Sequence, residues 1–353
     1  MKSGQWLRQA AVVGAFAMFL SGCSLLGIGD SSSSSKDIDP PPVGSIEDVI
    51  ANTTEDHIPT TSSSISDKVD ARTIYAKDSH GLVVPVTLSL PQTQAPAQKV
   101  LEYMVDGGPV SAMLPKGFTS ILPSGTKVKG MTINENKLAF VDFSKELLNY
   151  KQEDERKMLE GITWALTTFA NIDHVQLRVE GNDLTELPKK GTPIDEPVSR
   201  SIGINVEKLP DVDYGQSTAV TLYFMSGTAD YPYYVPVTRH IKRTDQVAEA
   251  VMEQLIKGPV SPNLLSSAIN PITNVVQLNP ADHLITVNLT GIGDQDHKVS
   301  SEALKSIVLS LTENTTATAV QIMIDGEAKF TTTDNTNYSK PIAKPTNLNP
   351  VKM

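Results

Sequence analysis

A single cysteine, Cys23, occurs in 353 residues. No disulfide can close within the chain, and no thiolate cluster can hold zinc. Positive charge is also short: 30 Lys and Arg stand against 40 Asp and Glu, a formal net charge of -10. No basic run offsets that balance, which argues against a nucleic-acid surface, since such a surface clusters cations against phosphates. The HExxH, GxSxG and P-loop patterns are missing from the sequence, and with them the usual signatures of zinc proteases, serine hydrolases and phosphate-binding NTPases. Long apolar runs are scarce. The one over residues 10–20 is shorter than the roughly 20 residues of a membrane-spanning helix.

That run has the length of a secretory h-region and follows Lys2 and Arg8. It ends in Leu20-Ser21-Gly22-Cys23, which resembles the bacterial lipobox. In lipobox proteins the cysteine thiol receives a diacylglyceryl group, with acyl chains such as palmitate, and becomes the first mature residue. The expectation is a lipoprotein signal peptide over residues 1–22 and lipidation of Cys23, anchoring the chain to the extracytoplasmic face of the cell membrane. Two or more acyl chains hold stably, because each buried CH₂ contributes about 0.8 kcal/mol and one chain holds only marginally. Residues 23–70 read as a flexible tether, with serine over 31–35, proline over 40–42 and hydroxyl residues over 60–64. A flexible chain of that length spans roughly 40 Å end to end.

The remainder carries an internal repeat. Val84-Pro85-Val86-Thr87 returns as Val235-Pro236-Val237-Thr238, and the block ending Val141-Asp142-Phe143-Ser144 returns as Val287-Asn288-Leu289-Thr290. Val175, Leu177, Val179, Glu180 and Gly181 match Val320, Ile322, Ile324, Asp325 and Gly326. Each copy predicts a hairpin, a helix closing on Gly-Pro, two further strands, a longer helix and a final alternating strand. Ala97, Val100, Leu101, Met104 and Val105 form the apolar face of the first helix, and Ser300 or Ser301 is the expected cap of the last. The expected fold is α+β: two tandem copies of a ββαββαβ domain, each a small mixed sheet with packed helices. The first domain is expected over 71–209 and the second over 210–353.

No constellation for catalysis, cofactor binding or metal binding emerges. The six histidines, His57, His80, His174, His240, His283 and His297, form no zinc-ligand spacing. The stretch Gly291-Ile292-Gly293-Asp294-Gln295-Asp296 lacks the later bidentate glutamate of a calcium loop. Glu102 and Glu253 are repeat-matched on helices, where a charge marks the solvated face. Asp142 becomes Asn288, which speaks against a shared acid–base role. Tyr223, Tyr231, Tyr233 and Tyr234 are the one aromatic cluster, read as hairpin packing, with an exposed partner patch as the alternative. These residues indicate no enzyme.

The Val-Pro-Val-Thr strand, the Gly-Pro helix end, the Val-Asp-Phe-Ser block and the closing Val-x-Leu-x-Val-Glu-Gly resemble the GerMN domain. Two such domains behind a lipobox resemble the GerM-like sporulation and spore-germination lipoproteins, a likeness covering about residues 70–350. The resemblance implies a non-enzymatic scaffold or assembly factor for a multiprotein complex between mother-cell and forespore membranes. Its implied partners are that membrane, through the lipid, and envelope proteins, including further copies of the chain, since these domains are likened to ring-forming modules. A lipoprotein binding a small ligand or cell-wall glycan in a cleft between the domains is the alternative. Two carboxylates set for glycoside hydrolysis are not identifiable.

Overall fold

Alternating apolar residues on both sides of the turn at Asp78-Ser79-His80-Gly81 make a hairpin the opening element. The computed structural model describes residues 68–228, 230–293 and 298–351. The expected signal peptide, Cys23, the tether before residue 68, His57, His297 and residues 294–296 lie outside the described residues. Strands β1 (Val69–Lys77) and β2 (Val83–Pro91) pair antiparallel, with Tyr75 opposite Pro85. Then come α1 (Pro96–Glu102), β3 (Val128–Ile133), β4 (Leu138–Phe143), α2 (Glu155–Leu166) and β5 (His174–Val179). Short strands β6 (Asn182–Asp183), β7 (Glu186–Leu187) and β8 (Thr192–Pro193) follow. The second copy runs β9 (Ser217–Gly227), β10 (Pro232–Lys242), α3 (Val247–Lys257), β11 (Asn274–Ala281), β12 (Leu284–Thr290), α4 (Ser301–Asn314), β13 (Ala319–Ile324) and β14 (Ile342–Ala343). The ββαββαβ order is present twice.

Each copy divides its repeated strands between two sheets, and the first adds a separate two-stranded sheet of β7 and β8. The hairpin stands alone, and a four-stranded mixed sheet runs β3-β4-β5-β6 or β11-β12-β13-β14. Its central pair, β4–β5 or β12–β13, is parallel, which requires a crossover that α2 or α4 supplies. Both crossover helices touch the hairpin and the mixed sheet of their own copy. Burial from two sides explains why ten residues of α2 are buried, from Glu155 to Leu166, and why α4 is similarly enclosed. Ser300 caps α4, its Oγ accepting from the Ala303 N–H at 3.2 Å.

One helix end differs from expectation. The second-copy helix α3 runs to Lys257 and stops at Gly258, whose φ of +79° suits glycine. In the first copy α1 stops at Glu102, although the apolar spacing extends to Val105. The cause is pairing with a later segment: Leu122 N–H donates to Met104 O and Asp106 N–H to Leu122 O, drawing residues 104–106 out of the helix.

Two asparagines join the copies. Asn205 Nδ2 donates to Val83 O in β2 at 2.7 Å and to Pro236 O in β10 at 2.8 Å. Its Oδ1 accepts from Val83 N–H at 2.8 Å. Asn349 does the same with the copies exchanged: Nδ2 donates to Tyr234 O and Pro85 O, each at 2.8 Å, and Oδ1 accepts from Tyr234 N–H at 2.8 Å. Val83 and Tyr234 are repeat equivalents, as are Pro85 and Pro236, so the junction has local pseudo-two-fold symmetry. Both asparagines have positive φ, 45° and 51°, a region asparagine tolerates better than most residues. The tail after each copy thus lies along the other copy's hairpin. Thr238 N–H donates to Ile204 O and Glu207 N–H to Thr238 O; Thr87 N–H donates to Leu348 O and Val351 N–H to Thr87 O.

Removing either amide strands carbonyls in this junction. Asn205→Ala and Asn349→Ala are each expected to lower unfolding free energy by roughly 1–3 kcal/mol for every buried polar group left unsatisfied. Urea unfolding measures it, and loss of less than about 0.5 kcal/mol in both variants, the range of an ordinary surface change, contradicts the junction's importance.

Candidate functional site

The repeat-matched polar residues have structural partners. Glu102 pairs with Lys99 at 3.2 Å and Glu253 with Lys257 at 2.6 Å, both on solvated helix faces. His80, His174 and His283 are exposed. His240 is half-buried, with Nδ1 2.9 Å from Ser217 Oγ, and burial, helped by Arg156, holds its pKa below the ordinary value. Among the described residues no three His, Cys, Asp or Glu side chains are placed to hold a metal ion.

Asp142 and Asn288 do the same work despite their different charge. Asp142 Oδ1 accepts the Gly181 N–H at 2.8 Å, and Asn288 Oδ1 accepts the Gly326 N–H at 2.9 Å. Each glycine follows a residue of positive φ, Glu180 or Asp325 at 52°. Only the acceptor oxygen is needed, and carboxylate and amide both provide it. The pair was visible in the sequence; its glycine partners were visible too, as the Glu-Gly and Asp-Gly ends of the closing strands.

The tyrosine cluster packs inside the junction. Tyr223 and Tyr233 are buried, and Tyr233 meets Phe118 of the first copy edge-on at 5.0 Å between ring centres. Its hydroxyl donates to Asp78 Oδ2 at 2.9 Å, inside the β1–β2 turn, and burial pushes its pKa up to about 12. Tyr231 also meets Phe118, at 6.1 Å. Tyr234 hydroxyl donates to Glu302 O at 3.3 Å, within its own copy. Packing, rather than an exposed patch, accounts for the cluster.

Two buried acids escaped the sequence pattern. Glu155, in the first turn of α2, is fully buried and holds the loop before β8: its carboxylate accepts from Lys189 N–H, Lys190 N–H, and Thr192 N–H and Oγ1, and from Tyr150 hydroxyl. Burial raises its pKa, but these donors outweigh it and hold the carboxyl below the ordinary range. Glu313 on α4 bridges the copies, 2.6 Å from both Arg200 and Lys344, while Arg200 lies 4.3 Å over the Trp164 ring. Burial again opposes ionisation, and Arg200 and then Lys344 reverse it, so Glu313 is held low. Both carboxylates are spent on internal partners, although Glu313 also borders a small space between the copies.

Two open grooves flank α3. One, of about 600 Å³, lies between residues 209–212 and the helix, with Lys242, Arg243, Glu249 and Glu253 on its walls. The other, of about 540 Å³, lies between α3 and β11. Between the copies a smaller space of about 230 Å³ is lined by Trp164, Arg200, Thr221, Thr238, Glu313 and Asn314.

Known proteins share this arrangement. A family model described as "Germane: Sporulation and spore germination" matches residues 73–185 and 221–330. The spore germination protein GerM of Bacillus subtilis (strain 168) is 37% identical over 361 residues, which is 96% of this chain and 97% of that protein. The solved structure of the tandem GerMN domains of the sporulation protein GerM from Bacillus subtilis aligns with a TM-score of 0.76 at 35% identity, over 80% of this chain and 100% of that one.

Two outcomes follow from the site chemistry. Asp142→Asn, which copies the second domain, is expected to change urea stability by less than about 0.5 kcal/mol, whereas Asp142→Ala costs about 1 kcal/mol or more by orphaning the Gly181 N–H. A large loss in Asp142→Asn speaks for a charge requirement instead. Glu313 has its folded-state pKa below the ordinary glutamate value of 4.5, so its stabilisation is present above that value and lost as pH falls through the lowered one. Glu313→Gln is expected to cost about 3 kcal/mol at neutral pH, with the gap to the parent narrowing as pH falls below 4.5, followed by urea unfolding across pH.

Proposed function

This chain belongs to the Germane family of sporulation and spore-germination proteins, and from that premise we propose that it is a non-enzymatic, membrane-anchored scaffold of the sporulating-cell envelope. Its anchor in this reading is the lipid on Cys23, with residues 23–70 setting the reach and the domains over 71–209 and 210–353 presenting surfaces to envelope proteins between the mother-cell and forespore membranes. Among the described residues no helix is long and apolar enough to cross a membrane.

One observation carries the scaffold reading: the copies are welded. Reciprocal exchange of tails, two asparagine amides and the Arg200–Glu313 bridge fix one domain on the other. Phe118, Tyr231 and Tyr233 fill space between the copies, where ligand capture needs a deep pocket. Rigid presentation of surfaces suits assembly, because binding then loses little conformational freedom.

The test is made in sporulating cells. Cys23→Ser is expected to move the protein from the membrane to the soluble fraction and to abolish cross-links between the chain and other envelope proteins. Cross-linking that recovers only the chain itself, with a sugar or metabolite retained by the purified protein, overturns the scaffold in favour of ligand capture.

A further inference from the structure

Duplication provides an internal comparison at the edge of each mixed sheet. Strands β3 and β11 are the outer strands, and each has one bulge next to its partner. In the first copy the register jumps from Val128 to Gly130, leaving Lys129 as the extra residue. In the second it jumps from Val275 to Gln277, leaving Val276. The partners are repeat equivalents, Phe143 and Asp142 against Leu289 and Asn288, so Lys129 and Val276 occupy one position.

The first copy closes its edge. Lys129 Nζ lies 2.6 Å from Glu180, whose other oxygen accepts the Lys145 N–H at 3.0 Å. A bulge with a lysine is how natural sheets discourage pairing with a foreign strand. The second copy keeps the bulge and the acid but not the cation. Lys129 has become Val276, Lys145 has become Gly291, and Glu180 has become Asp325. Asp325 is exposed and has no ion pair among the described residues. Val276 is 61% exposed, with Ile272 at 66% and Val260 at 48%. Val276 borders the groove between α3 and β11, which is also lined by Glu249, Glu253, Ile256 and Lys257, with Lys257 already paired to Glu253. An unguarded apolar edge next to unbalanced carboxylates calls for a particular complement.

We propose that the outer edge of β11 docks an extended segment of a partner protein that carries apolar side chains and a lysine or arginine. The segment pairs with the free edge of β11, sets its apolar side chains over Val276 and Ile272, and places its cation on Asp325, supplying from outside what Lys129 supplies within the first copy. This deepens the scaffold reading and rests on it, since it names the surface through which the scaffold holds a partner.

The probe is a fluorescent peptide copying residues 127–133 of the chain itself, a strand with lysines at Lys127 and Lys129, titrated against the full chain. Saturable binding is expected, weakened by salt and lost when both lysines are replaced by glutamate. Amide exchange is expected to slow in β11 and not in β3. Val276→Lys in the chain is expected to weaken binding by about tenfold or more, through lost apolar contact and an internal partner for Asp325. Asp325→Asn is expected to weaken it by about threefold, the size of one exposed ion pair. Because Lys129 is accommodated at the equivalent bulge, Val276→Lys should fold normally, which thermal unfolding checks. No binding, equal binding of the glutamate peptide, or unchanged binding by both variants overturns the proposal. If the peptide fails while envelope cross-links in cells persist, the edge assignment falls and the scaffold stands; loss of those cross-links in wild-type cells strikes the scaffold itself.

Discussion

A proline on the outer edge of a strand removes the N–H that a neighbouring strand would use, and β2 and β10 face one another with Pro85 and Pro236. A regular ladder between them is therefore interrupted, and the hairpins remain two-stranded sheets. Their carbonyls at Val83, Pro85, Tyr234 and Pro236 still need donors, because they are enclosed between domains. The Asn205 and Asn349 side chains supply them, two carbonyls to each amide. Val-Pro-Val-Thr thereby acquires a physical meaning. Proline keeps the hairpins from fusing into one sheet, and the threonines bond across each hairpin, Thr73 to Thr87 and Thr221 to Thr238.

Each half of the junction solves the same packing problem with different chemistry. Glu207, two residues after Asn205, binds Arg239 through its Nη2 at 2.6 Å and its Nε at 3.0 Å, although Arg239 is almost fully buried. The equivalent positions in the other half are Val351 and Leu88, which belong to the first domain's apolar packing. A buried ion pair and an apolar pair at symmetry-related places are a natural example of their near interchangeability, as the Coulomb gain of the pair is largely offset by its desolvation. The same tolerance appears at Asp142 and Asn288, where charge changes and the accepted hydrogen bond does not. Substitutions that preserve geometry leave the fold alone, which makes the exchange of Lys129 for Val276 stand out: it alters exposed chemistry and gives up the ion pair that Lys129 makes with Glu180.

The ββαββαβ order, the paired helices and the hairpins were legible because period-2 and period-3.6 patterns are local and each occurred twice. The separation of hairpin from mixed sheet was not, since alternation reports which face is buried and not which strand is the neighbour. The early end of α1 depended on Leu122, far along the chain, overriding a good apolar stripe. Acidic residues gather at helix starts to suit the dipole, so nothing in the pattern sets Glu155 apart; its partners lie in the loop at Lys189 and Thr192. The junction asparagines were the largest omission. A signal did exist: Ile204-Asn205 and Leu348-Asn349 are spaced close to the repeat offset, but one shared amide after an apolar residue is too little to extend a repeat without knowing its partners.

Tail exchange also constrains what the pair can do. Each domain is completed by a segment that belongs in sequence to the other: residues 204–207 lie along β10, and residues 348–351 along β2. Hinge motion between the domains must break both tails at once, because each asparagine bonds both hairpins. The stationary parts are then the hairpins and tails at the junction, and the open edges are the outer strands of the mixed sheets. A protein built in this way resists closure of one domain on the other. It holds two sheet edges in a set relation, one guarded by Lys129 and one left apolar at Val276, so that duplication has yielded two surfaces of different character on one rigid frame.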